Sequence, residues 1–157
     1  MKITILAVIL FLGQLVFAQD HPENHDHHRN HVGFGLGATS IFAENNLAPG
    51  LHVHYSYRLS DHSPFSLGVG YEAILDKHTH STVTGLLGYE LGRILISAGP
   101  GVTFGKEDGE AHRSLSGHLE VAYEFSVGDF HLGPMAGFGF DREESHASVG
   151  VHVGFGF

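Results

Sequence analysis

From Val32 to Phe157, large apolar side chains alternate with small or polar ones, and no stretch carries a helical stripe of useful length. Alternation with a period of two puts one class of residue on each face of a strand, so a chain patterned this way throughout is confined to sheet. The pattern predicts eight strands, over 32–42, 51–59, 65–75, 82–91, 94–104, 115–125, 130–140 and 147–157. Each is about 9 to 11 residues long, the length a tilted strand needs to cross a bilayer.

The segments between these strands are of two kinds. Residues 60–64, 92–93 and 126–129 are short, whereas 43–50, 76–81, 105–114 and 141–146 are longer or more charged. Short turns at one end and longer loops at the other are the asymmetry of a transmembrane barrel whose short turns face the periplasm, and an even strand count then puts both termini on that side.

The aromatic residues test the pattern. With one outward parity per strand taken from its aliphatic residues, Phe34, Phe42, Tyr55, Tyr57, Phe65, Tyr71, Tyr89, Phe104, Tyr123, Phe125, Phe130, Phe138, Phe140, Phe155 and Phe157 all fall on the outward face. Many lie near strand ends, where interfacial girdles belong. In a soluble barrel or sandwich that face would turn to a core, and the opposite face would be charged and solvated. Here the opposite face is mainly glycine, serine and threonine, which points the aromatic face at lipid.

Ahead of the strands, Lys2, the apolar run Ile3–Leu12 and the small-residue ending Val16-Phe17-Ala18 read as a cleaved secretory signal over residues 1–18. The run breaks at Gly13-Gln14 and is shorter than the roughly 20 residues of a spanning helix. Residues 19–31, QDHPENHDHHRNH, have no large apolar side chain and read as a disordered periplasmic tail. With no cysteine the chain has no disulfide, no lipoprotein anchor and no thiolate metal site. Without Lys2, 7 basic residues stand against 17 acidic ones, which argues against nucleic acid as a partner. Fifteen histidines could offset that charge on acidification, because each titrates near its reference value of about 6.5.

The signal, the eight strands, the loop asymmetry and the closing strand Gly150–Phe157 with its terminal aromatic make the chain resemble the small eight-stranded bacterial outer-membrane barrels, the group that contains the barrel domain of outer membrane protein A. The resemblance covers 32–157 and implies an all-β, antiparallel, up-and-down transmembrane barrel. It further implies a monomer embedded in outer-membrane lipid, with the barrel assembly machinery as a partner during biogenesis. It brings no functional residue with it.

Function then rests on the lumen, because eight strands enclose an interior just wide enough for side chains to fill. Inward parity places Arg58, Glu90, Glu124 and His131 toward the periplasmic end, where they read as a charge-paired plug. It gathers His52, His54, Glu72, His118, Glu120 and His152 in the middle and outer half. Neutral imidazoles and carboxylates are ligands for zinc, copper and related divalent ions. The same residues also fit a hydrogen-bonded network that replaces a hydrophobic core. The wall bearing Gly33, Gly35, Gly37, Gly133, Gly137, Gly139, Gly150, Gly154 and Gly156 predicts room for water or a flattened barrel. In the tail, His21, His25, His27, His28 and His31 are dense enough to hold borderline metals loosely. His78, His80, His112 and His146 fall in loops and offer weak outer-surface sites.

The expected function is a non-enzymatic envelope barrel that binds a divalent metal such as zinc or copper. A purely structural or adhesive barrel is the first alternative. A lipid A-modifying enzyme is the second, carried by His146 and Ser148 on one strand face, although no carboxylate follows them to complete a triad.

Overall fold

The computed structural model describes residues 28–157 apart from 44–45, 77–79, 108–109 and 143. The strands are β1 (Asn30–Ile41), β2 (Asn46–Arg58), β3 (Phe65–Ile74), β4 (His80–Leu91), β5 (Ile94–Glu107), β6 (Glu110–Tyr123), β7 (Phe125–Val127), β8 (Phe130–Phe140) and β9 (Ser145–Gly156). All pairings are antiparallel; β1 pairs with β9 and β6 with β8, so the sheet closes on itself. β6 and β7 are two parts of one strand, since both pair with β8 in a single register, Ala122 with Met135 and then Phe125 with Leu132. That register sets Pro134 opposite Tyr123, and proline has no N–H to give to the ladder, which accounts for the break. Eight strands therefore close the barrel, as the alternation predicts.

The strands overrun their expected ends, mostly at the end away from the termini. β2 begins at Asn46 and pairs through Pro49 and Ala48 with β1, and the β5–β6 ladder runs on to Glu107 opposite Glu110. Apolar alternation marks only where a strand meets lipid, whereas a ladder needs backbone partners alone and continues past it. The predicted long loops are thus largely absorbed into hairpins. At the terminal end the two-residue turns carry Gly92 and Gly128 at φ 60° and 62°, the left-handed conformation that tight hairpins demand. Asn30 and Phe157 exchange backbone hydrogen bonds of 3.1 and 3.0 Å at the same end.

The outward face carries the aromatics. Thirteen of the fifteen are exposed, and Tyr123 and Phe125, half-buried, meet each other edge-on at 5.0 Å. Leu36, Leu67, Leu87, Leu115, Val149 and Val151 share the surface with them. Inside, the buried side chains are mostly polar, among them Thr39, His52, His54, Glu72, Thr82, Thr84, His118, Glu120, Ser148 and His152. Among the described residues Ile41, Ala48 and Ile74 form an apolar cluster at the distal end of the lumen, and Ala73, Leu86, Ala122 and Met135 are buried outside it.

Candidate metal centre

The histidines enter the lumen opposite glycines. Across neighbouring strands His31 pairs with Gly156, His52 with Gly35, His54 with Gly33, His118 with Gly99, His131 with Gly154, His146 with Gly139 and His152 with Gly133. At Gly33, Gly139 and Gly154 the missing side chain seats a ring. A Cβ on Gly33 would run into the rings of His54 and His152, one on Gly139 into His146, and one on Gly154 into His31. At these positions the glycine wall therefore does not leave water-filled space or flatten the barrel, because imidazoles occupy the volume.

Among the described residues two groups of three ligand-type side chains result. In the one nearer the termini, His152 Nδ1 lies 3.2 Å and His31 Nε2 4.0 Å from the same oxygen, Glu124 Oε1. In the other, His52 Nδ1 comes to 2.6 Å from Glu120 Oε2, with His54 beside it at a ring-centroid distance of 5.1 Å. Within each group the ligand atoms all lie within 4.8 Å of one another. His54 and His152, one from each group, stack at 5.2 Å with their planes 1° apart and so join the two.

These atoms converge without hydrogen bonding. His31 Nε2, Glu124 Oε1, His152 Nδ1 and Nε2, His52 Nδ1, both His54 ring nitrogens and Glu120 Oε2 are all buried with no hydrogen-bond partner, so even the 2.6 Å approach is misaligned for an N–H bond. A buried polar atom left unpaired costs about 1–3 kcal/mol, which makes such a concentration a feature in need of an explanation.

Glu72 behaves differently. His146 Nε2 and His118 Nδ1 both reach its Oε2, at 3.4 and 3.5 Å, and tie it into a bonded network on the distal side. Two members of the predicted metal cluster, Glu72 and His118, thus stand in this network rather than in either group. His146, expected in an outer loop, is in the lumen because β9 starts at Ser145, which puts His146 on the same parity as Ser148 and His152. Ser148 is buried there too, on the face turned away from lipid.

At the terminal mouth the predicted plug forms only in part. Arg58 and Glu90 make an ion pair, but Glu124 turns to His31 and His152, and His131 Nδ1 meets Ser126 Oγ at 3.3 Å. A cavity of about 80 Å³ opens at this mouth, with His28, His31, Arg58, Glu90, Glu124 and His131 in its lining. His28 sits 3.3 Å from Asp129. His31, expected in the tail, belongs to β1. The other tail histidines, His21, His25 and His27, lie outside the described residues, as do the signal segment and His78.

The sequence pattern puts Glu124 in the plug and His31 in the tail, whereas the fold brings both to His152. Parity marked Glu124 as inward. Its height relative to His152 depends on the stagger around the barrel, for which one strand's pattern carries no signal.

No sequence family matches the chain, and no curated protein does. Solved structures do. The N-terminal β-barrel domain of Pseudomonas aeruginosa OprF superposes with a TM-score of 0.64 at 16% identity, covering 83% of this chain and 100% of that domain. Neisserial surface protein A superposes with a TM-score of 0.58 at 8% identity, covering 82% of this chain and 96% of that one. The attachment invasion locus protein Ail of Yersinia pestis gives 0.55 at 10% identity, over 82% and 97% of the two chains. The fold is that of the small outer-membrane barrels. An exterior of contiguous phenylalanine, leucine and valine is a liability in water and is solvated by hydrocarbon, so fold and exterior together put this barrel in the bacterial outer membrane.

Proposed function

We propose that this outer-membrane barrel is a non-enzymatic protein that binds a divalent metal of the borderline class, zinc or copper, inside its lumen. The observation that carries the reading is the convergence of six imidazole and carboxylate groups in two sets, four of the six buried, with ligand atoms that face one another and form no well-aligned hydrogen bond. A divalent cation in each set would take one nitrogen from each imidazole and one oxygen from the carboxylate, and imidazole with carboxylate is the donor set that zinc and copper take. Three protein ligands per site leave a fourth position open. His28 lines the terminal mouth, and the histidines that precede it in the chain offer further imidazoles for the same metals.

The structural reading keeps one region. His118 and His146 both meet the Glu72 carboxylate, which gives that part of the lumen a bonded polar core. The lipid-enzyme reading loses its support, because a nucleophile for a lipid substrate belongs on or near the lipid face, and Ser148 and His146 are enclosed.

Zinc titration of the refolded full chain with His21, His25 and His27 replaced by serine tests the proposal. The expected result is saturable uptake of two zinc ions per chain, one for each group. Absence of saturable binding in that protein overturns it.

A further inference from the structure

The two groups differ in access. His31 and Glu124 border the cavity at the terminal mouth, whereas His52, His54 and Glu120 line neither that cavity nor the one at the distal end. They are deeply buried, at 5%, 3% and 1% exposure. Beyond them the described residues leave little room in the lumen. Glu72, His118 and His146 are bonded together, the apolar cluster of Ile41, Ala48 and Ile74 lies at that end, and the distal cavity measures only about 10 Å³. A single water needs about 10–15 Å³, so that cavity, as the described residues line it, does not admit a hydrated cation.

We propose that the lumen is a one-ended well for a divalent cation, entered from the terminal mouth, with two stops in series and no exit at the distal end. The inference rests on the metal-binding reading above and adds the route. A cation entering from the periplasmic side meets His31, Glu124 and His152 first. The open coordination position of a three-ligand site lets it be passed on before it is fully released. The stacked pair of His54 and His152 is the seam between stops, and Gly33 is the residue that leaves both rings room. The second stop, His52, His54 and Glu120, ends the path against the bonded network.

The chain has no cysteine, so single introduced thiols can be labelled selectively at either mouth. In the full chain lacking His21, His25 and His27, Ser66→Cys lies in the lining of the terminal cavity, and Ser114→Cys lies at the distal end, where the native serine donates to Asp141 at 2.7 Å. Each is modified with fluorescein maleimide, and zinc uptake from a fluorescent indicator is followed by stopped flow. The label at position 66 is expected to slow uptake by about tenfold or more and the label at 114 by less than about twofold, within the span over which on-rates vary for one site. Equal slowing by both labels, slowing by the distal label alone, or slowing by neither overturns the one-ended route. Failure of the unlabelled proteins to take up zinc overturns the metal reading itself. Gly33→Ala supplies a second measure, because its Cβ would wedge the seam. A folded Gly33→Ala chain is expected to bind fewer than two zinc ions, because the Cβ displaces a ligand ring of each stop, and two retained ions contradict the seam.

Discussion

Glu72→Ala is expected to lower the unfolding free energy of the barrel in lipid by about 3–5 kcal/mol, whether or not zinc is present. Glu72 is buried and is the common acceptor for His118 and His146, so its loss strands two imidazoles in an interior with little water. Removing one partner of a buried polar pair costs far more than the pair contributes, since the group left behind keeps its desolvation penalty. Denaturant unfolding in lipid vesicles, followed by the mobility shift between folded and unfolded barrels on gels, reads the difference. A loss under about 1 kcal/mol, the net worth of an ordinary hydrogen bond, would remove the network from the list of what holds the lumen together.

His54→Phe should show the opposite signature. The ring still occupies the space beside Gly33 and still stacks on His152, while two buried nitrogens without hydrogen-bond partners disappear. Exchanging unsatisfied polar atoms for an apolar group of similar shape is near neutral, so stability without zinc is expected to change by less than about 1 kcal/mol. Zinc affinity should fall steeply. Structural zinc sites are worth about 10–16 kcal/mol over four ligands, which makes one ligand roughly 3 kcal/mol and its loss about a hundredfold in affinity at that site. Zinc-dependent stabilisation falls in step, by about 2.7 kcal/mol at concentrations that saturate the original site. Isothermal titration and unfolding with and without zinc check both halves. Unchanged affinity at both sites, or a large loss of stability without zinc, places His54 among structural residues.

The contrast between Glu72 and His54 also marks what the chain discloses on its own. The outward face was legible because lipid imposes one demand on every strand, and each of Phe34, Tyr71, Phe104 and Phe155 meets it within a few residues of local pattern. Inward residues were legible as a set for the same reason. Strand ends were not: Leu47 to Pro49 and Ala111 to Ser114 pair through their backbones past the lipid boundary, where side-chain pattern no longer reports pairing. Nor was the company each lumen residue keeps. Glu124 on the β6 side reaches His152 on β9 across the intervening β8, a contact set by barrel stagger. The pairing of histidine with glycine was present in the chain throughout, as Gly33-Phe34-Gly35 beside His52-Val53-His54, yet it has meaning only once the register joins Gly35 to His52 and Gly33 to His54.

Metal bound by the barrel would sit in the two sets of lumen ligands. An anomalous-scattering map at the zinc edge, from crystals of the refolded chain grown with zinc, tests it most directly. Two peaks are predicted, one among His31, Glu124 and His152 and one among His52, His54 and Glu120. Peaks confined to the loops or the outer surface, with none inside the barrel, would contradict it.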